Sequence, residues 1–309
     1  MENSVMKDLP KVKGELLVNY NLANFTRFKT GGQAEVFFSP KDKKDLIDFL
    51  KHAPKDMPIH TLGFGSNILI RDGVLNGITI RLQSDAFNDV YVSNDDNCKV
   101  VCGAFASNIA ISKFAMENKI KGFEFLFGIP GSIGGAVITN AGCFKREIKD
   151  ILVEIEVIDK LNGELKIIPA SECGLVYRDS SINPNYIITS VVLKGEVGDS
   201  KKIQEKMDKI LREKDAVQPT YTKTAGSTFK NPTDYSAWKL IKEAGCQGLK
   251  LGGAIISTQH ANFIINECDA TSADIEDLAE KVRYTVYEKF GIMLEYEIKI
   301  IGSRKVENP

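Results

Sequence analysis

The chain has 309 residues, of which 43% are hydrophobic and 26% charged, a balance typical of proteins with a packed core. Forty Lys and Arg residues nearly cancel forty-one Asp and Glu residues, which argues against the clustered positive charge of a nucleic-acid groove or a polybasic membrane patch. No run approaches the eighteen or so apolar residues of a membrane span, and residues 1–13 lack the apolar core of a signal peptide. We therefore expect a cytoplasmic protein without nucleic-acid or membrane partners.

Potential metal ligands are spread thinly along the chain, which has six cysteines and three histidines. No two cysteines are separated by two residues, and no histidine lies at ligand spacing from a cysteine. We expect no metal site, and in a chain without an export signal we expect the cysteines to be reduced.

The first two thirds of the chain predict short strands mixed with helices. Asp42 can cap a helix over residues 42–52, in which Leu46, Phe49 and Leu50 fall on one side. A second helix is predicted near residues 107–118. The strands are predicted near residues 58–62, 68–70, 99–102, 151–158, 164–168 and 186–193.

The last third begins after a charged amphipathic helix, residues 201–214, which stops before Gln218-Pro219. Its inward face is predicted to hold Ile203, Met207, Ile210 and Leu211. We place a domain boundary near residue 214, which gives domains of residues 1–213 and 214–309. This mixture of elements favours an α+β fold and not a regular βαβ repeat.

The C-terminal domain contains the helix with the clearest boundaries. Thr271 and Asp274 form a capping box at its start, and Gly291 is a natural stop. Ile275, Leu278, Val282 and Val286 form its apolar stripe. A final strand is predicted over residues 293–301.

Two glycine-rich loops stand out as candidate binding segments. The first, Gly63-Phe64-Gly65-Ser66-Asn67, directly follows a strand, and glycines there let backbone N–H groups converge on an anion. The second is Gly128-Ile129-Pro130-Gly131-Ser132-Ile133-Gly134-Gly135-Ala136, followed by Asn140-Ala141-Gly142. Neither matches a P-loop or a Rossmann fingerprint. Together they favour a dinucleotide held by another fold, and the alternative is that both are structural turns.

Three further residues suggest acid–base and charge chemistry. Arg178 lies between strands in Tyr177-Arg178-Asp179-Ser180, Ser227 lies in a glycine-flanked turn, and Glu297 lies on the last strand. A hydrolase triad is disfavoured, because there is no Gly-x-Ser-x-Gly elbow and histidines are scarce. Arg178 could bind a carboxylate, Glu297 could stabilise enol character, and Ser227 could donate a proton. These roles fit hydride addition to an alkene beside a carboxylate, although such residues are otherwise ordinary solvated surface.

These motifs resemble the UDP-N-acetylenolpyruvoylglucosamine reductase (UDP-N-acetylmuramate dehydrogenase) family from about Asn24 to Gly302. The segments that carry the resemblance occur in the family's order. They are Asn24-Phe25-Thr26-Arg27-Phe28-Lys29-Thr30-Gly31-Gly32, both glycine loops, Tyr177-Arg178-Asp179-Ser180, residues 225–232, Gly252-Gly253-Ala254 with His260-Ala261-Asn262-Phe263-Ile264, and residues 294–297.

The resemblance implies a two-lobed FAD-binding region of the vanillyl-alcohol-oxidase (PCMH) type followed by a C-terminal substrate-binding domain. It implies non-covalent FAD, NADPH as reductant, and UDP-N-acetylenolpyruvoylglucosamine as the substrate reduced to UDP-N-acetylmuramate for peptidoglycan. Ser227 matches the proton donor, and Arg178 and Glu297 match the other two catalytic residues. Tyr177, Lys230, Asn231 and His260 match substrate-binding positions. The matches to FAD-contacting positions are Gly63, Phe64, Gly65, Ser66, Asn67, Gly128, Pro130, Gly131, Ser132, Gly134, Gly135, Asn140, Ala141 and Gly142.

Two departures from the family pattern are visible. The stretch between Arg178 and the helix of residues 201–214 has no room for the lid segment of one subgroup, so the chain is similar to the shorter, second subgroup. Cys143-Phe144 replaces a small residue followed by tyrosine, and we interpret Cys143 as a packed residue and not a reactive thiol. For the assembly we expect a monomer.

Two rival functions stay open at this point. One is an FAD oxidase on the same fold that passes electrons to oxygen. Many such enzymes attach the flavin through a histidine beside the glycine loop, whereas this loop carries Ser66 and Asn67 and His60 lies upstream. The other is a flavin- or nucleotide-binding module without catalysis, which the joint presence of Arg178, Ser227 and Glu297 disfavours.

Overall fold

The structure is a computed structural model that describes residues 9–305. The outer ends of the two predicted domains, residues 1–8 and 306–309, lie outside the described residues. The α-helices within the described range are α1 (Lys43–His52), α2 (Asn108–Glu117), α3 (Ile133–Ile138), α4 (Ser200–Val217), α5 (Ala237–Glu243) and α6 (Ser272–Phe290).

The strands of the same range are mostly short. They are β1 (Glu15–Asn21), β2 (Gln33–Ser39), β3 (Ile59–Thr61), β4 (Ile68–Ile70), β5 (Val74–Ile80), β6 (Val90–Val92), β7 (Lys99–Gly103), β8 (Ile120–Lys121), β9 (Gly142–Cys143), β10 (Arg146–Glu147), β11 (Leu152–Asp159), β12 (Leu165–Pro169), β13 (Tyr186–Lys194), β14 (Glu196–Val197), β15 (Lys250–Leu251), β16 (Ala254–Ile256), β17 (Ile264–Asn266) and β18 (Lys299–Ile301).

Most of the strand pairs are antiparallel. The largest sheet has the order β12-β11-β13-β7-β6, and every pair in it is antiparallel. A second sheet has the order β1-β2-β5-β3, in which β3 and β5 are parallel. Strands β15, β16 and β17 form a small antiparallel sheet, and β4 pairs with β18 in parallel. Helices and largely antiparallel sheets together confirm the α+β class.

The described residues divide into two compact units, each with its own hydrophobic core. Unit one comprises residues 9–18, Val36–Phe64 and Gly77–Glu213, and unit two comprises Asn19–Glu35, Gly65–Asn76 and residues 214–305. The chain passes from unit one to unit two at residue 214 and at earlier points, and the two-domain division at 214 stays a prediction.

Helix boundaries follow the local capping chemistry that the sequence predicts. The Asp42 carboxylate accepts a hydrogen bond from the Asp45 N–H at 2.8 Å and starts α1. At the start of α6, Thr271 and Asp274 form the reciprocal capping box, and Gly291 ends the helix at φ +69°. The predicted stripe of α6 is fully buried, at 0% exposure for each of Ile275, Leu278, Val282 and Val286.

The inward face of α4 differs from the prediction at one position. Ile203, Met207 and Ile210 are buried, but Leu211 is 36% exposed. The three buried residues are spaced four and three apart, which places them on one side of the helix. Leu211 follows Ile210 by one residue, about 100° further around the helix, and therefore faces solvent.

The predicted strand of residues 293–301 was wrong for most of its length, because only Lys299–Ile301 is a strand. The N–H groups of Glu297 and Ile298 both donate to the Thr228 carbonyl, at 2.9 and 3.4 Å. Two successive donors on one acceptor break the alternation of a regular ladder. Glu297 therefore precedes β18 instead of lying on a strand.

The second glycine loop also ends earlier than predicted. Residues Ile133–Ile138 form α3, so Gly134 and Gly135 lie in a helical turn. The Ala136 N–H donates to the Ser132 carbonyl at 3.0 Å, which closes the first turn of this helix.

Across residues 9–305 the helices are each too short or too polar to cross a bilayer.

Candidate active site

In unit two, the Ser227 segment is not the turn that the sequence predicted. Gly226 has φ +87°, and a Cβ added there would meet no atom within 4 Å, so backbone conformation and not space requires glycine. Ser227 then forms an isolated antiparallel bridge with Phe263. Its side chain is half-buried, which keeps the hydroxyl within reach of a ligand.

Buried Asn262 holds this segment in place through its side chain. Its carboxamide oxygen accepts from the Phe229 N–H at 3.0 Å, and its amide nitrogen donates to the Phe229 carbonyl at 2.8 Å. The Asn262 carbonyl also accepts from the Thr228 N–H at 2.8 Å. One side chain thus satisfies both backbone groups of a residue that is 1% exposed. Asn262 lies in the motif His260-Ala261-Asn262-Phe263-Ile264 and was not predicted to have a role of its own.

Glu297 lies on the other side of the same segment. Its N–H donates to the Thr228 carbonyl, and Phe229 forms an antiparallel bridge with Tyr296. The Lys230 N–H donates to the Glu295 carbonyl at 2.8 Å. The structure therefore brings Ser227 and Glu297, which the sequence places 70 residues apart, into one hydrogen-bonded backbone array.

Asn67 of the first glycine loop joins this array. Its side-chain amide donates to the Glu297 carbonyl at 3.2 Å, and its own carbonyl accepts from the Lys299 N–H at 3.0 Å. Gly65 has φ +63°, and a Cβ there would lie 2.0 Å from the Phe25 carbonyl oxygen. Gly65 is therefore required by conformation and by space, while Ser66 is half-buried beside it.

The predicted substrate-binding residues of unit two have distinct environments. The side-chain oxygen of exposed Asn231 accepts from the Ala237 N–H at 2.9 Å and so supports the start of α5. His260 Nδ1 accepts from the Asn262 N–H at 3.3 Å, and burial lowers the pKa of this imidazole. Lys230 is half-buried.

Arg178 lies in unit one, in a tight turn between β12 and β13. Val176 and Asp179 exchange two backbone hydrogen bonds, and Arg178 has φ +56°, a left-handed conformation that non-glycine residues rarely adopt. Its guanidinium donates to the Gly142 carbonyl at 3.2 Å and lies 5.0 Å from the Tyr177 ring centroid. The turn thus fixes a cation against one of the predicted FAD-contacting segments.

Asn140, predicted to contact FAD, is 0% exposed and bonds to the chain itself. Its amide donates to the Val176 carbonyl at 2.9 Å and to Glu147, and its oxygen accepts from the Lys149 N–H at 3.0 Å. This side chain therefore ties the Arg178 turn to residues 140–149. Neighbouring Ala141 and Gly142 are half-buried, with more of their surface accessible.

Within unit one, Gly63 at the start of the first glycine loop lies against the second loop. A Cβ on Gly63 would lie 2.6 Å from the Ser132 hydroxyl, and one on Gly134 would lie 3.0 Å from the Ala104 carbonyl oxygen. Gly131 has φ +124°. Gly135 is more open, because a Cβ there would lie 3.4 Å from its nearest neighbour, the Ser132 hydroxyl. The half-buried Phe64 ring packs edge-on against Phe105, with ring centroids 4.8 Å apart.

This arrangement fits a dinucleotide cofactor, because side chains on these glycines would fill the space between the loops. Gly128 has another explanation: a Cβ there would lie 2.9 Å from the Cys143 sulfur. The contact agrees with Cys143 as a packed residue. Pro130 is half-buried in the same loop.

Unit one also has an open cavity of about 580 Å³. Its charged lining is largely paired within itself or with neighbours, as in Lys121–Glu196 at 3.0 Å and Lys206–Glu124 at 3.4 Å. None of the predicted site residues lines it. The cavity is therefore separate from the candidate site.

Comparison with known proteins finds two family models that match this chain. A family model described as FAD binding domain matches residues 34–168, and one described as UDP-N-acetylenolpyruvoylglucosamine reductase, C-terminal domain, matches residues 218–301. The UDP-N-acetylenolpyruvoylglucosamine reductase of Rickettsia akari is 45% identical over 294 residues, covering 95% of this chain and 98% of the relative. That of Rickettsia canadensis is 45% identical over 298 residues, covering 96% and 99%.

A solved structure extends the likeness to the fold. The crystal structure of the Thermus caldophilus UDP-N-acetylenolpyruvylglucosamine reductase superposes with a TM-score of 0.81 at 30% identity, covering 94% of this chain and 100% of the other. The expected FAD-binding fold is thereby confirmed, together with the family's C-terminal part. Sequence coverage and fold agree that this chain belongs to the UDP-N-acetylenolpyruvoylglucosamine reductase family.

Proposed function

We propose that this chain is an FAD-dependent oxidoreductase that uses NADPH to reduce UDP-N-acetylenolpyruvoylglucosamine to UDP-N-acetylmuramate. Relatives that share 45% of their residues with it over almost their whole length carry the name of this reductase. The product is a peptidoglycan precursor, which would link the protein to cell-wall growth, cell shape and division. We expect it to act in the cytoplasm as a monomer.

One observation carries the proposal: the backbone array that holds Ser227 and Glu297 together in unit two. Phe263 pairs with Ser227 on one side, and the Glu297 N–H binds the adjacent Thr228 carbonyl on the other. A serine fixed in this way keeps a constant position, which a proton donor to carbon requires. Its half-buried side chain combines that restraint with access.

FAD, when bound, would supply a hydride for the terminal alkene carbon of the substrate. Negative charge then develops at the carbon that bears the carboxylate, and Ser227 donates the proton that this carbon takes up. The planar guanidinium of Arg178 neutralises the carboxylate. Glu297 helps to stabilise the enol character of the substrate. Each well-placed group of this kind stabilises the transition state by about 3 kcal/mol.

The remaining residues bind the nucleotide part of the substrate. Lys230 provides a positive charge for the diphosphate, and Tyr177 provides an exposed ring beside Arg178. Asn231 presents its amide nitrogen, because its oxygen is engaged by the Ala237 N–H. His260 binds as a neutral imidazole, since burial lowers its pKa.

The decisive experiment follows the flavin spectrum without oxygen. NADPH should bleach the oxidised flavin band, and UDP-N-acetylenolpyruvoylglucosamine should restore it with formation of UDP-N-acetylmuramate. If only oxygen restores the band, the chain is an oxidase and the proposal is wrong. If NADPH never bleaches it, the chain is a flavin-binding module without this activity.

A further inference from the structure

The chain has a single tryptophan, Trp238, and it is 37% exposed in unit two. It is the second residue of α5, the helix whose first N–H is bound by the Asn231 side chain. A large aromatic ring that stays this exposed gains only part of the free energy that burial would give. Its place next to Asn231 therefore suggests a role toward a ligand.

Trp238 stands at the outer end of a row of rings that leads to Ser227. Its ring centroid lies 6.0 Å from that of His260, and the His260 centroid lies 4.8 Å from that of Phe263. Phe263 is the bridge partner of Ser227. Half-buried His260 and exposed Trp238 thus extend the surface that begins at the proposed proton donor.

Positive charge accompanies this row. The Lys239 ammonium lies 5.7 Å from the Trp238 ring centroid, and Lys230 lies three residues after Ser227. A flat ring with ammonium groups nearby is the combination that binds a planar base carrying phosphates. The row itself, which consists of Trp238, His260 and Phe263, carries no acidic side chain.

We propose that Trp238 is the platform on which the uracil base of the substrate stacks, with Lys239 beside the diphosphate. The inference rests on the proposed function, which requires the alkene carbon to lie at Ser227. The row of rings leads from Ser227 to Trp238, so the part of the substrate at Trp238 must be the end farthest from the alkene. That end is the nucleobase. Trp238 is thus a substrate-binding residue and takes no part in proton or hydride transfer.

The adenine of NADPH offers the same chemistry, a planar base attached to a diphosphate. The two sources are separated by titrating the FAD-loaded protein with UDP and, in parallel, with NADP⁺. Since Trp238 is the only tryptophan, its emission reports directly on stacking at this position. Calorimetry gives the dissociation constant of each probe independently of fluorescence.

UDP should quench the Trp238 emission, and Trp238→Ala should weaken UDP binding about ten- to hundredfold, the range expected for loss of one base stack. Trp238→Phe keeps a ring and should weaken it less than about tenfold. With substrate, Trp238→Ala should raise KM and leave both kcat and flavin reduction by NADPH nearly unchanged. Tyr284→Ala, which removes another exposed aromatic ring of unit two, is the matched control and should bind UDP normally.

The outcomes separate this inference from the proposed function. If UDP binds without quenching Trp238, and Trp238→Ala binds it as tightly as the unaltered protein, the platform is refuted and the reductase function stands. Quenching by NADP⁺ but not by UDP would assign the ring to adenine and overturn the inference. If the unaltered protein neither binds UDP nor is reoxidised by the substrate, the proposed function itself fails.

Discussion

The Asn262 side chain should matter for stability and for catalysis, and Asn262→Ala separates these effects. The substitution leaves the N–H and carbonyl of Phe229 without their partners, in a segment where Phe229 is 1% exposed. An unsatisfied buried polar group costs about 1–3 kcal/mol, so two should lower the free energy of unfolding by about 2–4 kcal/mol, allowing for partial access of water. Loss of the two bonds also frees the backbone that positions Ser227.

Asn266 provides a matched control in the same unit. Its carboxamide likewise makes two buried hydrogen bonds to backbone, donating to the Phe28 carbonyl and accepting from the Ala270 N–H, each at 2.8 Å. Asn266→Ala should therefore lower the free energy of unfolding by a similar amount. Neither of these two hydrogen bonds involves Ser227 or Glu297, so the substitution should leave catalysis largely intact.

The two variants are compared by urea denaturation and by stopped-flow measurement of each half-reaction. Asn262→Ala should slow reoxidation of reduced flavin by substrate at least about tenfold, because a small misplacement of a reacting group is costly. Flavin reduction by NADPH should change little. The reasoning is refuted if Asn262→Ala loses less than about 0.5 kcal/mol, or if Asn266→Ala slows reoxidation equally.

Two further predictions concern the cofactor loop and pH. Gly63→Ala places a methyl group 2.6 Å from the Ser132 hydroxyl and should displace the loop. The variant should therefore retain less FAD after gel filtration, measured as flavin absorbance per protein. Full retention of FAD would contradict the assignment of these loops to FAD binding. Unfolded His260 takes up a proton near its ordinary pKa of 6.5, whereas the folded protein does so at lower pH. The free energy of unfolding should therefore fall as pH drops below about 6.5, and it should fall less in His260→Gln than in the unaltered protein. Equal shifts of the urea midpoint with pH in the two proteins would contradict this prediction.

Features with local causes were predictable from the sequence. The start of α6 depends on Thr271 and Asp274, and its end depends on Gly291, all within one turn of the boundary they set. The N-cap of α1 is equally local. The glycine loops were recognisable because positive φ and close approach restrict the residue type, as at Gly65 and Gly131.

Features that depend on distant partners were not predictable. Residues 293–298 have strand-like composition, yet two of their N–H groups share the Thr228 carbonyl, which only the folded chain brings near. Asn262 pairs with a residue 33 positions away, so nothing adjacent reveals the interaction. Leu211 was misplaced for another reason, since an apolar residue at the edge of a helical stripe can face either way.

The candidate site residues differ in whether their side chains are accessible to a ligand or are buried and bonded within the chain. Asn140 is 0% exposed, and its amide donates to the Val176 carbonyl, so its side chain supports the turn that carries Arg178. Ser227 keeps an accessible side chain.

The most direct test of the account is Ser227→Ala, followed through both half-reactions. Thr228→Val is its control: it removes the neighbouring hydroxyl, which is buried and has no hydrogen-bond partner among the described residues. Ser227→Ala should reduce its flavin with NADPH at a near-normal rate and reoxidise it with substrate about 10²–10⁴ times more slowly, as expected for loss of a general acid. Thr228→Val should match the unaltered protein in both steps. Equal slowing of both half-reactions by Ser227→Ala, or normal reoxidation by substrate, would contradict Ser227 as the proton donor.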